Sequence, residues 1–418
     1  MVFLAYREGL GPIFNSVYVT PAERLLADGF DARVLTMSAL GEWIRPAARR
    51  RWKAVLDAAS ARLPGRMHRL PCPPNRAQWA WQEGEILRRW MTWTFGRDRR
   101  VILHCGGSRA AAYALDARQH LPKLRVVYQC WGPEAAEHIY DNTVRGANEN
   151  VAPVRAEASR RDRLQSRAFV ESDAVISISR SMSNWGIEEY GALESRILEV
   201  PCFVDTARFR PDEQLRASVR RELGAQDRFV VVYVGSMFRW QFPDGCFEIF
   251  RSVQKRYPNA LFLAITTSPD AMRRRVHEQG IPESASHIVS VPFEEVPRYV
   301  LAGDLAILGR GIGEEPTLVN GLSSPVKFGE YLASGLPVVL SEGIGDFSSL
   351  AQEMNLGVVL PYKATPAIIR QLVLEFLEKQ ERNSLGLQQC CRDVAVENLA
   401  LSAHIPRLAK LYRELART

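Results

Sequence analysis

Short apolar runs alternate with helix-like stretches along almost the whole chain, and this alternation limits the folds that the chain can adopt. The first run is Val2 to Tyr6, a glycine-containing loop and a helix-like stretch from Val17 to Ala27 follow it, and Ala32 to Leu35 is the next run. Parallel strands need a crossover connection, which is usually a helix, so strand-length runs that alternate with helices indicate parallel sheets. The sequence therefore predicts an α/β protein.

The alternation stops once and begins again. A polar, charged stretch over residues 213–228 follows "PCFVDTARFRPD", and a new apolar run comes with "RFVVVYVGS". A chain of 418 residues is longer than a single hydrophobic core usually supports. We therefore expect two Rossmann-like domains, 1–212 and 213–394, with a C-terminal helix within 395–418 that crosses back onto the first domain.

Composition excludes several other classes. Hydrophobic residues make up 46% of the chain and charged residues 24%, as in ordinary globular proteins, and the longest apolar runs are too short to span a bilayer. Charge follows the first apolar run at once and no basic segment precedes it, so we expect no signal peptide and a cytoplasmic protein. The seven cysteines include no C-x-x-C pair and the seven histidines no H-E-x-x-H spacing, which predicts neither disulfides nor a metal site.

The segment "SSPVKFGEYLASGLPVVL" places charge at the start of a helix that leads into an apolar strand. Ser324 suits the N-cap and Pro325 the first helical position, and Gly335 is expected to end the helix. Lys327 and Glu330 then lie about 60° apart around the helix axis, while apolar residues on another face can pack on the sheet. Ligands of doubly wound sheets bind at the carboxyl ends of the strands, so the two charged side chains are expected to face that end.

Three segments together resemble the retaining nucleotide-sugar glycosyltransferases of family 4, also called group 1. "SSPVKFGEYLASGLPVVLSEGIGD" is similar to their donor-site helix and strand, "VPCFVDTARFRP" to their domain-crossing segment, and "VVVYVGSMFRW" to the first strand and phosphate loop of their donor domain. The resemblance covers most of the chain. It implies the glycosyltransferase-B fold, an α/β architecture of two facing Rossmann-like doubly wound domains, with the acceptor in the first and the donor in the second.

The resemblance also implies the residues of the donor site. Glu330 matches a glutamate that accepts hydrogen bonds from the donor ribose, and Lys327 lies where an ammonium and the helix-start amides can meet the diphosphate. The expected catalytic residues are Lys327, Arg239 and Glu330. The residues expected to bind the nucleotide sugar are Gly11, Gly235, Ser236, Arg239, Arg310, Ser324, Pro325, Lys327 and Glu330. No metal and no cofactor are implied, because cations and amides stabilise the leaving diphosphate in this family.

Three positions depart from the family pattern. The first glutamate of the donor motif falls at Leu322, the arginine of the phosphate loop is Ser236, and the lysine expected further on falls near Gln241. Three other cations are expected to take their place: Arg239, Lys327 and Arg310. The identity of the donor is therefore left open.

On the acceptor side, "QCWGPEAAEHIY" resembles a loop in which the family often has a histidine or arginine where this chain has Trp131. The residues expected on this side are Trp131, Glu134 and His104, which would end a strand. Gly9 and Gly11 follow the first strand and would approach the donor phosphates from the first domain. Plain packing residues and turn glycines are the alternative interpretation of this set.

Positive charge is concentrated in one segment. Residues 45–100 hold 14 lysines and arginines against four acids, a net charge of +10 in a chain whose total is +7. The part from Trp79 to Arg100 also holds four of the nine tryptophans. Arginines with interfacial aromatic rings suit docking on anionic lipid headgroups, and a solvated basic face over core tryptophans is the alternative. No nucleic acid is expected as a partner.

The function predicted is retaining transfer of a sugar from a nucleotide-diphosphate donor to a polysaccharide or lipid-linked glycan, in the cytoplasm or on the inner face of the membrane. The alternatives are a non-catalytic, glycosyltransferase-like binding or scaffold subunit and a sugar-nucleotide epimerase of the same fold. A Rossmann dehydrogenase is disfavoured, because no G-x-G-x-x-G follows the first strand.

Overall fold

The computed structural model describes residues 1–6, 14–73, 80–144, 151–237 and 241–417. By their internal contacts the residues form two units, Met1–Val200 with His404–Thr418, and Pro201–Ala403. The division falls at the start of "PCFVDTARFRPD", which the sequence analysis assigned to the first domain. The roles of the two domains as acceptor and donor domains stay predictions.

Contacts within the second unit explain where this segment lies. The backbone of Val204 accepts a hydrogen bond from the N–H of Leu401 and donates one to the carbonyl of Leu399. Phe209 is buried in the core of the same unit. The segment is therefore held by the second unit from its first residues onward.

The first unit is built on a seven-stranded parallel sheet of order β3-β2-β1-β4-β5-β6-β7. Its strands are β1 (Val2–Tyr6), β2 (Arg33–Ala39), β3 (Met67–Cys72), β4 (Val101–Gly106), β5 (Leu124–Cys130), β6 (Ala174–Ser177) and β7 (Ile197–Glu199). Its helices are α1 (Thr20–Ala27), α2 (Leu40–Ile44), α3 (Pro46–Arg62), α4 (Ala80–Phe95), α5 (Ser108–Arg118), α6 (Glu134–Val144), α7 (Val151–Glu171) and α8 (Arg180–Tyr190). A π-helical turn, Asn15–Val19, precedes α1, and a 3-10 turn, Glu194–Arg196, precedes β7.

The second unit is built on a six-stranded parallel sheet of order β10-β9-β8-β11-β12-β13. Its strands are β8 (Val230–Val234), β9 (Leu261–Ile265), β10 (Ser286–Val289), β11 (Leu305–Leu308), β12 (Val338–Ser341) and β13 (Gly357–Leu360). Its helices are α9 (Glu213–Glu222), α10 (Gly245–Arg256), α11 (Pro269–Glu278), α12 (Val296–Val300), α13 (Leu318–Gly321), α14 (Val326–Ala333), α15 (Phe347–Glu353), α16 (Pro366–Arg382) and α17 (Ser384–Val394). Short turns lie at Glu283–Ala285, Phe293–Glu295 and Ala395–Leu399, and the chain ends in α18 (Leu401–Arg417).

Both sheets are doubly wound, so the α/β prediction is confirmed. In each of them the strand order reverses at one point, between β1 and β4 in the first sheet and between β8 and β11 in the second. The crossover connections leave in opposite directions on the two sides of such a point, and this opens a crevice at the carboxyl ends of the strands. The second crevice contains the candidate site.

The strand β3 was not expected from the sequence. It lies at the edge of its sheet, and five of its six residues, which read MHRLPC, are half-buried or exposed. A proline and two basic or titratable side chains are tolerated at an edge because one side of the strand needs no ladder hydrogen bonds. The same features weaken the apolar signal by which the inner strands were predicted.

Alternate residues of β8 enter separate hydrophobic cores. Val230 and Val232 belong to one buried cluster of the second unit, and Val231 and Tyr233 belong to another. The sheet is thus covered on both faces, as is usual for parallel sheets. This burial fixes the strand ends from which the site loops emerge.

Candidate functional site

A small cavity lies at the crevice between β8 and β11, within the second unit. Its lining residues are Tyr233, Val234, Gln241, Ile307, Leu308, Gly309, Arg310, Pro325 and Lys327. They come from the ends of the two strands, from the loops that follow them and from the start of α14. The cavity therefore brings together Arg310, Pro325 and Lys327, three of the residues predicted from sequence.

The helix α14 begins one residue later than predicted. Pro325 keeps an extended backbone, with φ −64° and ψ 119°, and the helix starts at Val326. Ser324 is not the N-cap, because its hydroxyl accepts a hydrogen bond of 3.1 Å from the backbone N–H of Cys202. Gly335 ends the helix with φ +79°, as expected. The helix is thus fixed at its start to the segment that opens the second unit.

Lys327 is half-buried at the first turn of α14 and packs on the loop after β8. A Cβ atom on Gly235 would lie 3.3 Å from Cε of Lys327. Burial lowers the pKa of the Lys327 ammonium below its ordinary value, Glu330 partly opposes this, and Arg310 adds to it. The ammonium makes no hydrogen bond or ion pair with any residue that the structure describes. It is therefore available to an anion.

Glu330 lies one turn further along α14 and is 7% exposed. Burial raises the pKa of its carboxyl above the ordinary value, and Lys327 and Arg208 partly oppose this. Within the described residues the carboxylate has no hydrogen-bond or ion-pair partner. A buried carboxylate without a partner costs free energy, and such groups are concentrated in binding and catalytic sites.

Arg208 is a residue that the sequence analysis missed. Its guanidinium lies 4.1 Å from the centroid of the Phe293 ring and donates a hydrogen bond of 2.5 Å to the Phe293 carbonyl. From there it favours the ionised form of Glu330. Its position in "VPCFVDTARFRP", the segment that resembles the family's domain-crossing segment, was the signal that could have pointed to it.

The loop after β8 has three features that set its shape. A Cβ atom on Gly235 would lie 2.5 Å from the Tyr233 hydroxyl oxygen, so only glycine fits there. The Tyr233 hydroxyl donates a hydrogen bond of 2.6 Å to the Ser236 carbonyl. Gln241 Oε1 accepts hydrogen bonds from the hydroxyl and the backbone N–H of Ser236. Ser236 and Gln241, where the family has cations, are thus a neutral hydrogen-bonded pair.

The remaining residues discussed for the donor site lie either in the core or outside the described residues, apart from Arg310, which lines the cavity. Leu322 is 5% exposed, and its backbone N–H donates to the Leu318 carbonyl at the end of α13. Arg239 and Gly11, with Gly9, lie outside the residues that the structure describes. Among the described residues that line the cavity, the cations are Arg310 and Lys327.

The predicted acceptor-side residues all lie in the first unit. His104 lies inside β4 and not at its end, and it is 2% exposed. Its Nδ1 is 2.7 Å from the Tyr412 hydroxyl and its Nε2 is 2.6 Å from Gln129 Oε1. Burial lowers the pKa of His104 to about 4, so the ring is neutral near pH 7. His104 is therefore a core residue, and its expected position at a strand end is wrong.

Glu134 and Trp131 follow β5. The Glu134 carboxylate accepts hydrogen bonds of 2.7 Å from both the backbone N–H and the hydroxyl of Ser108. It therefore lies at the N-terminus of α5, where a negative charge is favoured by the helix dipole. Trp131 is half-buried directly after the strand.

The described ranges contain no group of three or more His, Cys, Asp or Glu side chains placed to hold a metal ion. In the same ranges, none of the helices is long and apolar enough to cross a membrane.

Known proteins are similar to this chain in fold and, over part of its length, in sequence. No protein-family model matches the chain. A GDP-mannose-dependent α-(1-6)-phosphatidylinositol monomannoside mannosyltransferase of Mycolicibacterium smegmatis is 26% identical over 180 residues, which are 42% of this chain and 46% of that protein. The chain thus spans about half the length of the curated relatives that it matches.

Two solved structures match nearly the whole chain. HepE of Anabaena, in complex with UDP, has a TM-score of 0.70 at 12% identity, covering 99% of this chain and 100% of its own. Sucrose-phosphate synthase of Thermosynechococcus elongatus has a TM-score of 0.68 at 16% identity, covering 99% of each chain. The chain therefore has the glycosyltransferase-B fold of these structures, and part of it is similar in sequence to the mannosyltransferase named above.

Proposed function

We propose that the protein transfers a sugar, with retention of configuration, from a nucleotide-diphosphate donor to a polysaccharide or lipid-linked glycan. One observation carries this proposal. The half-buried Lys327 and the buried Glu330, two charged groups without hydrogen-bond or ion-pair partners among the described residues, stand one turn apart on α14, which begins beside the crevice between β8 and β11. A cation and a carboxylate so placed suit the diphosphate and the ribose hydroxyls of one nucleotide sugar.

The chemistry follows from the charge that develops in the reaction. Cleavage of the bond between sugar and diphosphate leaves negative charge on the diphosphate oxygen. Cations held in place before the reaction stabilise that charge without reorganisation, which is often the largest contribution to rate. Lys327 and Arg310 line the cavity and are proposed for this role, with Arg239 as a further candidate. Glu330 is proposed to hold the ribose.

The base and the sugar of the donor are left open. The relatives that match in sequence include GDP-mannose-dependent enzymes, whereas HepE was solved with UDP and with UDP-glucose. The cavity residues Lys327 and Arg310 are proposed for the diphosphate, and Glu330, which follows on α14, is proposed for the ribose; these donors share both groups. The proposal is therefore a class of donor, the nucleotide-diphosphate sugars, bound without a metal or cofactor.

The acceptor side is proposed to meet an anionic membrane surface. Trp93 on α4 is 85% exposed and Ile44 on α2 is 69% exposed. The arginines 45 and 49–51, which follow Ile44, are exposed as well. The helices α2, α3 and α4 all pack against the edge strand β3. Exposed apolar side chains together with exposed arginines suit the interface of a bilayer that carries anionic lipid, where a lipid-linked acceptor would be found.

Part of this segment has the alternative role that the sequence left open. Trp52 is 1% exposed and Trp90 is 9% exposed, so both are core residues. Docking is therefore tested on the exposed residues alone. Vesicles rich in anionic lipid should sediment the protein at low salt, and Trp93→Ala should weaken this. Sedimentation that is absent for the unaltered chain would end the membrane proposal and leave the donor site untouched.

The donor proposal is tested by a screen of nucleotide sugars, in which a ligand that binds only the folded protein raises its melting temperature. A stabilising donor is then incubated with glycan and lipid-linked acceptors, and products are identified by mass spectrometry. Glu330→Ala should abolish most of the stabilisation, with the exposed Glu353→Ala as control. Binding without hydrolysis or transfer would favour the scaffold alternative, which Leu322 and Ser236 suggest. An altered sugar without an acceptor would favour the epimerase.

A further inference from the structure

The hydroxyl of Tyr331 lies between two strands at the crevice of the second unit. Tyr331 is fully buried on α14. Its hydroxyl oxygen accepts a hydrogen bond of 2.8 Å from the backbone N–H of Val234, the last residue of β8, and it is 3.4 Å from the carbonyl oxygen of Ile307 in β11, to which it can donate. One side chain thus contacts both strands that flank the crevice.

The ladder between β8 and β11 stops short of this point. The two strands are paired at Val231 with Leu305 and at Val232 with Ala306, and the pairing goes no further. Parallel strands that separate leave backbone groups without ladder partners, and such groups are costly when buried. The Tyr331 hydroxyl satisfies the Val234 N–H while the two strands separate. The crevice and its loops begin at this separation.

The same side chain fixes the helix face that carries Lys327. Residues four apart on a helix lie on one face, so Lys327 stands one turn before Tyr331 on the same side of α14. Tyr331 does not line the cavity, whereas Lys327 does. A hydroxyl tied to the strand ends therefore sets the distance of that helix face from the loop after β8.

We propose that Tyr331 is a positioning residue for the diphosphate end of the donor site, and that it acts by wedging the ends of β8 and β11 apart and by holding Lys327 over Gly235. This rests on the proposed function, since it assumes that Lys327 meets a diphosphate. The Tyr331 ring packs in the core, and its hydroxyl makes the contacts with β8 and β11. Tyr331→Phe therefore removes the contacts with the strands and keeps the packing of the ring.

The experiment is a double-mutant cycle on nucleotide affinity. Calorimetry with UDP, GDP, ADP and dTDP is carried out on the unaltered chain, Tyr331→Phe, Lys327→Ala and the double variant. Tyr331→Phe should weaken binding of the preferred nucleotide about tenfold in the unaltered background and less than about twofold once Lys327 is gone, because residues that act through each other are not additive. Uridine and guanosine have no phosphate, so Tyr331→Phe should change their affinity by the same small factor whether or not Lys327 is present.

Tyr412→Phe is the matched control, since it also removes one buried tyrosine hydroxyl bond, to His104 in the first unit. It should lower the melting temperature and leave nucleotide affinity unchanged. Equal losses with and without Lys327 would mean that Tyr331 is only structural, and no loss at all would also overturn the inference. Either result leaves the proposed function in place if the unaltered chain binds any of these nucleotides. If that chain binds none of UDP, GDP, ADP and dTDP, the proposed function fails and the inference fails with it.

Discussion

The side-chain carbonyl oxygen of Gln241 accepts hydrogen bonds from both the hydroxyl and the backbone N–H of Ser236. In the family that this chain resembles, cations are expected at or near both positions. Here these two residues form a neutral hydrogen-bonded contact in the loop after β8. The positive charge that faces the cavity in the described residues comes instead from Lys327 and Arg310.

Restoring one cation should therefore strengthen binding of the diphosphate. Gln241→Lys frees the Ser236 N–H and adds a positive charge to the cavity lining. We expect affinity for UDP or GDP to rise by about threefold to tenfold at low salt, because a charge-assisted contact contributes about 1 kcal/mol more than a neutral one. The gain should shrink as salt is added. Calorimetry at two ionic strengths measures both effects.

Gln371→Lys, at an exposed position on α16, adds the same charge away from the cavity and is the control. If both variants strengthen binding equally, the effect comes from net charge and Gln241 has no particular role.

Parts of the second unit could be predicted because several of its strands are short runs that are apolar throughout. The strands β8, β11 and β13 lie at the residues predicted for them, since a continuous apolar run leaves little choice of boundary. The expectation that a site lies at the carboxyl ends of the strands followed from the alternation of strands and helices, whereas its place between β8 and β11 needed the strand order of the structure. The prediction that Lys327 and Glu330 are site residues came from a motif and stays a prediction.

What could not be predicted depends on contacts between distant residues. Serine is a common N-cap residue, but the Ser324 hydroxyl instead accepts a hydrogen bond from the backbone N–H of Cys202. His104 was expected at a strand end, but β4 continues to Gly106 and Tyr412 of the last helix covers the ring. No local rule contains the pairing of Ser236 with Gln241. Each of these depends on the tertiary fold, which a short window of sequence does not include.

Gly235 is predicted to be irreplaceable for steric reasons. A Cβ atom there would lie 2.5 Å from the Tyr233 hydroxyl and 3.3 Å from Cε of Lys327. Gly235→Ala should therefore displace Lys327, weaken nucleotide binding and cost about 1–3 kcal/mol of unfolding free energy. Adding Tyr233→Phe removes the nearest atom and should restore part of the loss. Urea unfolding and calorimetry measure the two quantities.

Gly321→Ala is the control, because a Cβ atom on Gly321 would meet no atom within 4 Å and its φ is not positive. Gly235→Ala would contradict the steric account if it behaved like Gly321→Ala.

His104 should make the protein sensitive to acid. Its pKa is lowered to about 4 in the folded protein, against an ordinary value of 6.5. Between these values the unfolded chain binds the proton and the folded chain does not, so stability is present above pH 6.5 and is lost as pH falls towards 4. The loss from this group reaches about 3 kcal/mol. The free energy of unfolding is measured with urea at pH 7.5, 6.5 and 5.5. It should change less with pH in His104→Asn than in the unaltered chain, whereas the exposed His120→Asn should keep the pH dependence of the unaltered chain.

We expect the Glu330 carboxylate to lower the stability of the folded protein and to strengthen binding of the nucleotide sugar. Burial raises its carboxyl pKa, so the folded protein holds a proton more tightly than the unfolded chain does, and stability falls as pH rises through that range. Glu330→Gln removes the buried charge and keeps the shape. We expect it to raise the free energy of unfolding by about 1 kcal/mol at pH 7.5, with the gain shrinking as pH falls towards the ordinary carboxyl range, where the unaltered carboxyl is protonated in both states.

Glu330→Gln should also weaken binding of the nucleotide sugar, because a neutral amide accepts hydrogen bonds from the ribose diol less strongly than a carboxylate does. Binding to the unaltered chain should also weaken at acid pH, as Glu330 becomes protonated, and this pH dependence should be absent in Glu330→Gln. Melting curves and calorimetry over pH 5.0 to 8.0 measure stability and affinity on the same samples. Glu353→Gln, at an exposed carboxylate of the second unit, should change neither. A Glu330→Gln variant that was both less stable and fully competent to bind would show that the carboxylate belongs to the structure of α14 and not to the donor site.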